Sequence, residues 1–230
     1  MLTLFCLAAA STTHAALVVP AGLHPGDMYY LAFVTKGTHN AKSENIDEYN
    51  TFVRKQAARP GAITEKYKSQ YGIDFFAVGS TSTVDARDNV SIDDTLPIYL
   101  LDGVTQIAND SKPLWGGTLL YPILLDQYAQ KSFVIVFTGT TPTGLSTAYP
   151  LGGPPPHQGK STSGLSNHQD HRWSTFILTP TYIPLPFYAL SGKITVPGVI
   201  PEPASLVAWL GLACLVGLGT DLRRRVRGMA

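Results

Sequence analysis

Between residues 17 and 200 the chain has no cysteine; its two, Cys6 and Cys214, stand in apolar stretches at either end. That absence excludes from the middle a disulfide framework, a thiolate nucleophile and a Cys-ligated zinc site. Charge is scarce as well, at 14% of residues. Four of the 17 basic and two of the 16 acidic residues fall in the last thirty, which leaves 13 against 14 elsewhere. Without a basic surplus there is nothing to neutralise a phosphate backbone, so no nucleic-acid partner is expected. Catalytic signatures are missing too. Gly144-Leu145-Ser146 and Gly164-Leu165-Ser166 each lack the second glycine of a nucleophile elbow, and no P-loop, G-x-G-x-x-G or HExxH pattern occurs. No catalytic residue, metal or cofactor is therefore assigned, and the chain is not expected to be an enzyme.

What is present is glycine (21) and proline (17) in 230 residues, a length that allows one domain plus targeting segments. A domain of that size can bury a core without a disulfide or metal staple. Residues 2–10 (LTLFCLAAA) form an uncharged run with the length of a signal-peptide core. Thr13 and Ala15 occupy the small-residue positions before a cut, so residues 1–15 read as a signal peptide and Ala16 as the mature start. A basic segment before the run is absent, and a short buried helix is the competing reading.

At the other end, residues 204–220 (ASLVAWLGLACLVGLGT) carry no charge. At about 1.5 Å per residue such a helix reaches roughly 26 Å, the short end of what crosses a bilayer. Arg223, Arg224, Arg225 and Arg227 follow, and basic residues flanking a span stay on the cytoplasmic side. The chain before the span is thereby placed outside, in agreement with a signal peptide. Pro201-Glu202-Pro203 immediately precedes the span, and its prolines hold an extended peptide that a processing enzyme can grip.

Tripeptide, span and arginine tail in this order resemble the PEP-CTERM sorting signal. The resemblance implies recognition by a membrane-embedded exosortase, cleavage near Pro201 to Pro203, and delivery to the cell surface or extracellular matrix. A single-pass protein that keeps its anchor is the alternative.

Residues 16–196 read as one extracellular domain, followed by a sorting tail at 197–230. Residues 29–35 (YYLAFVT) predict a strand. Residues 40–58 predict an amphipathic helix, with Ile46, Tyr49, Phe52 and Val53 at helical spacing, Asn45 and Glu48 as a capping pair, and Arg59-Pro60-Gly61 as a stop. Further strands are expected at 74–79, 97–101, 133–138, 174–179 and 187–196, with turns at Asp102-Gly103 and Gly116-Gly117. One early helix followed by strands argues α+β with a mainly antiparallel sheet. Residues 141–172, rich in Gly, Pro, Ser and Thr, show no apolar period and read as a long loop and the candidate binding region.

The order Ser80-Thr81-Ser82-Thr83-Val84-Asp85-Ala86-Arg87-Asp88, Pro97-Ile98-Tyr99-Leu100-Leu101-Asp102-Gly103, Leu114-Trp115-Gly116-Gly117, Phe137-Thr138-Gly139-Thr140, long loop and Trp173 resembles bacterial domains of the endostatin and C-type-lectin-like fold. That fold carries its ligands on a long loop before the last strands, which maps onto 141–172. The superfamily's stapling cysteines and its calcium-ligating triplets are absent here, so calcium-dependent sugar binding is not implied.

Within the loop, His157, His168, Asp170 and His171 are the candidate ligand residues, because imidazole and carboxylate donors suit a transition metal. A metal-dependent secreted hydrolase using this histidine loop is the alternative to a non-catalytic binding or structural module. Asp85, Arg87, Asp88 and Asn89 read as an internal polar network rather than a binding rim. Asp93, Asp94, Asp102 and Asp110 read as turn residues, and Trp115 as a core side chain rather than a sugar platform. The expected partners are exosortase and the membrane through the tail, and extracellular polysaccharide.

Overall fold

The computed structural model describes residues 17–153 and 159–198. The expected signal peptide, Pro201-Glu202-Pro203, the 204–220 span, Arg223, Arg224, Arg225, Arg227 and His157 lie outside the described residues. Among the described residues no helix is long and apolar enough to cross a membrane.

Strand β1 (Met28–Val34, MYYLAFV) is the axis of the domain, and every residue from Tyr29 on is buried. A run apolar on both faces is what a covered central strand requires. Alternate side chains leave in opposite directions. Tyr29, Leu31 and Phe33 enter one apolar cluster, while Tyr30, Ala32 and Val34 enter another.

The first cluster is covered by helix α1 (Ile46–Ala57), whose Ile46, Tyr49, Phe52 and Val53 form the predicted stripe. Tyr49 stacks on Phe187 at 5.1 Å between ring centroids, and Phe52 meets the same ring edge-on at 5.8 Å. Contacts of this kind contribute about 0.5–1.5 kcal/mol beyond area burial. Asn45 caps the helix, its Oδ1 accepting from the Asp47 N–H at 3.0 Å. The helix starts at Ile46 rather than Asn40, because the preceding residues bond elsewhere: His39 bridges to Leu185, and the Ala41 N–H donates to the Thr181 carbonyl. Nor does Glu48 close a capping box. The Ser43 hydroxyl takes the Asn45 N–H, and Glu48 stands 3.5 Å from His39 Nε2.

The remaining elements in chain order are α2 (Tyr67–Tyr71), β2 (Phe75–Ala77), α3 (Ala86–Val90), β3 (Ile98–Leu100), β4 (Gln106–Ala108), β5 (Ile135–Phe137), β6 (Lys160–Leu165), a 3-10 turn (His171–Trp173), β7 (Ile177–Pro180), β8 (Tyr188–Ser191) and β9 (Ile194–Thr195). The large sheet runs β2-β8-β1-β3-β4, with β9 also on β1; the small sheet runs β5-β6-β7. Among these pairings only β1 with β3 is parallel. The architecture is α+β with a mainly antiparallel sheet, as the pattern of elements predicts.

The strand expected at 187–196 is in two pieces. Ala32 pairs with Leu190 but Tyr29 pairs with Ile194, so one extra residue is accommodated at Gly192-Lys193. Such a bulge leaves backbone groups unpaired, and the Ser191 hydroxyl takes up the Leu31 N–H at 2.9 Å. At the outer edge of β2, Asn50 Oδ1 accepts from the Ala77 N–H at 2.9 Å and Asn89 Nδ2 donates to the Ala77 carbonyl at 2.8 Å. Two amides thus satisfy an edge that would otherwise be open to further pairing.

Two expectations need correction. Residues 141–172 are not a continuous loop: Lys160–Leu165 is the middle strand of the small sheet, with Ser161, Thr162 and Ser163 buried. Its inward side chains are hydroxyls, which give no apolar period to read. The strand expected at 174–179 begins only at Ile177, because the preceding residues close the 3-10 turn, with the Ser174 and Thr175 N–H groups donating to the His171 carbonyl.

Candidate functional site

Asp170 is the N-cap of the 3-10 turn, and its Oδ1 accepts from the Arg172 N–H at 3.1 Å. The Arg172 guanidinium grips the same carboxylate, Nη2 to Oδ2 at 2.5 Å and Nε to both oxygens at 3.0 Å. That pairing holds the Asp170 carboxyl well below the usual carboxylate range and pushes Arg172 up. His168 Nδ1 lies 3.7 Å from Asp170 Oδ1, and His171 is exposed. The carboxylate is therefore committed to ordering the turn that delivers Trp173, fully buried, into the core. Among the described residues no three or more His, Cys, Asp or Glu converge as a metal site.

The Asp85 to Asn89 segment is divided. Asn89 exchanges hydrogen bonds with Asn50 at 2.8 and 3.0 Å, and Asp85 Oδ1 accepts from the Ser146 N–H at 2.6 Å. Arg87 and Asp88 instead face solvent, 4.0 Å apart. Asp93 and Asp102 accept from the N–H and hydroxyl groups of Thr95 and Thr105, which makes them turn residues. Trp115 is half-buried, its ring 6.3 Å from that of Trp173, and a Cβ on Gly144 would come within 2.8 Å of it. It packs; it is not a free platform.

The loop does carry a concavity, but on other residues. Three chain segments are stitched together by backbone bonds: Ala41 N–H to Thr181 C=O at 2.8 Å, Gly152 N–H to Ala41 C=O at 2.9 Å, and Thr181 N–H to Gly159 C=O at 2.7 Å. After each of Ala41, Gly159 and Thr181 the next side chain, Lys42, Lys160 or Tyr182, lines an open pocket of about 490 Å³. The glycines are required. Gly152, Gly153 and Gly159 have φ of +94°, +51° and +67°, and a Cβ on Gly153 would lie 2.9 Å from Thr181 Cγ2 and 3.1 Å from Gly159 Cα.

Lys42 and Lys160 are exposed, and neither has an ion-pair partner among the described residues. Tyr182 is 67% exposed, more than any other phenylalanine, tyrosine or tryptophan among the described residues. Glu44 is the neighbouring acid, its Cγ 2.6 Å from where a Cβ on Gly152 would sit. Two ammonium groups and a free aromatic face over a glycine floor can hold an anionic ligand. Among the described residues that line the pocket there is no carboxylate, imidazole or thiol.

The amino-acid sequence points to 141–172 through its histidines, whereas the pocket is built on other side chains. Lys42 and Tyr182 come from outside that stretch, and only the glycines at 152, 153 and 159, next to Lys160, signalled the place. No protein-family model matches the chain, and no curated protein matches it.

Proposed function

We propose that this chain is an exported surface or extracellular-matrix protein, sorted by an exosortase through a PEP-CTERM tail, whose domain is a non-catalytic binding module. The observation that carries the sorting half is the C-terminal order Pro201-Glu202-Pro203, uncharged 204–220 and Arg223, Arg224, Arg225, Arg227. The fold is compatible with such processing. Val196 is tied to the start of β1, its N–H donating to the Asp27 carbonyl and its carbonyl accepting from the Gly26 N–H. The sheet is thus closed at Val196, five residues before Pro201.

The binding half is supported by the pocket, part of whose lining (Gly152, Gly159 and Lys160) falls in 141–172, where the endostatin and C-type-lectin-like resemblance puts its ligand loop. The pocket follows the C-terminal end of β1, whereas Val196 leaves at the N-terminal end.

The test is mass spectrometry of the mature protein from its host. The expected result is a chain beginning near Ala16 with no peptide from Ala204 onward. An intact tail in most molecules would replace sorting by a retained single-pass anchor.

A further inference from the structure

We infer that the pocket between Lys42, Lys160 and Tyr182 binds a carboxylated saccharide, an acidic polysaccharide chain rather than a neutral glycan. The inference rests on the binding-module reading above and gives it a ligand class. The pocket is open and its rim carries Lys42, Lys160 and Tyr182 on three separate segments, so it suits a stretch of polymer lying across it better than an enclosed small metabolite. The exposed Tyr182 ring supplies an apolar face for a sugar ring.

Among the described residues neither ammonium has an ion-pair partner to neutralise it. Arginine, whose fork grips carboxylate and phosphate alike, is absent from the described rim, so Lys42 and Lys160 act as point charges and the phosphate competition decides between the two anions. Glu44, beside Gly152, is a nearby group that opposes an anion.

The experiment is calorimetric titration of the full-length chain in non-ionic detergent with tetragalacturonate, with maltotetraose as the neutral control and inorganic phosphate as competitor. Tetragalacturonate should bind and maltotetraose should not, and raising salt from 50 to about 300 mM should weaken binding. Lys42→Gln and Lys160→Gln should each weaken it by about two- to fivefold, the range of exposed charge pairs. Tyr182→Ala should cost up to about tenfold, and Glu44→Gln should tighten binding slightly. All four positions are exposed or at the rim, so melting temperatures should stay unchanged and losses will not reflect unfolding.

Equal binding of maltotetraose, with the lysine variants unaffected, would overturn the acidic ligand while leaving a glycan-binding module. Displacement by equimolar phosphate would overturn the saccharide assignment in favour of a simple anion site. No binding of either oligosaccharide would overturn the inference and remove the pocket as support for the binding-module reading. The sorting half would still stand or fall on the mass spectrum.

Discussion

Around β1 the large sheet is closed by rings and branched chains: Phe33 against Phe75 at 5.3 Å, Tyr49 on Phe187, and Leu31, Ile98 and Leu190 without access to water. Around β6 the small sheet is closed by hydroxyls. Ser163 donates to Thr179 Oγ1 at 3.0 Å, the Thr147 and Thr162 hydroxyls are 2.9 Å apart, and Thr138 donates to the Ser174 carbonyl at 2.6 Å. Apolar contact is non-directional and tolerates repacking. A hydroxyl layer is directional, and each member left unpaired forfeits a buried hydrogen bond. The small sheet should therefore hold its register tightly but absorb volume changes poorly.

Gly164 in β6 gives the largest expected effect. A Cβ there would collide with the Trp173 carbonyl oxygen and crowd Ser174 Cα, both backbone atoms that cannot swing away. Gly164→Ala should cost about 3 kcal/mol and lower the melting temperature by roughly 6–12 °C. Gly198→Ala, with no atom within 4 Å of the new Cβ, is the control and should change little. Equal melting of the two variants would mean that β6 yields as readily as an apolar layer, and the contrast between the sheets would be lost.

The same contrast explains what could be read from the amino-acid sequence. Strands β1, β2, β3, β5 and β8 announce themselves by rings and branched side chains, and α1 by Ile46, Tyr49, Phe52 and Val53 at helical spacing. Strand β6 (KSTSGL) does not, because Ser, Thr and Gly are the residues of loops unless a tertiary partner satisfies them. The five-residue helices α2 and α3 are too short to display a period, and β4 (QIA) has only Ile107 as a branched side chain. The candidate site was legible as a region and not as residues. Imidazoles clustered along the chain drew attention to His168 and His171, while the pocket joins Lys42 and Tyr182 across 140 positions through backbone bonds that leave no local trace.

A medium-sized effect tests a directional element at the edge of the large sheet. Asn50 is buried and serves the Ala77 N–H and Asn89 together. Asn50→Ala removes the acceptor from a buried backbone donor and should cost about 2 kcal/mol in a denaturant titration. Asn89→Ala removes the partner on the Ala77 carbonyl. The double variant should lose less than the two single losses combined, by about 1 kcal/mol, since the amides bond each other. Strict additivity would show that the edge of β2 is held by apolar packing alone.

The smallest effect concerns Asp170, at the surface end of the hydroxyl-rich region. Its folded-state pKa lies below the unfolded value of about 3.9. The folded chain therefore binds fewer protons there, and the stabilisation is fully present above that pH. It fades as pH falls from about 5 towards the depressed folded-state value. Asp170→Asn keeps an oxygen to cap the Arg172 N–H but loses the charge that pairs with the guanidinium. At pH 7 the variant should melt slightly below the parent, by an amount limited by the solvent exposure of the pair. The gap should narrow as the buffer is taken from pH 5 to pH 3, and also at pH 7 in 0.5 M salt. A gap of the same size at pH 5 and pH 3 would assign the loss to altered packing of Trp173 instead of to charge.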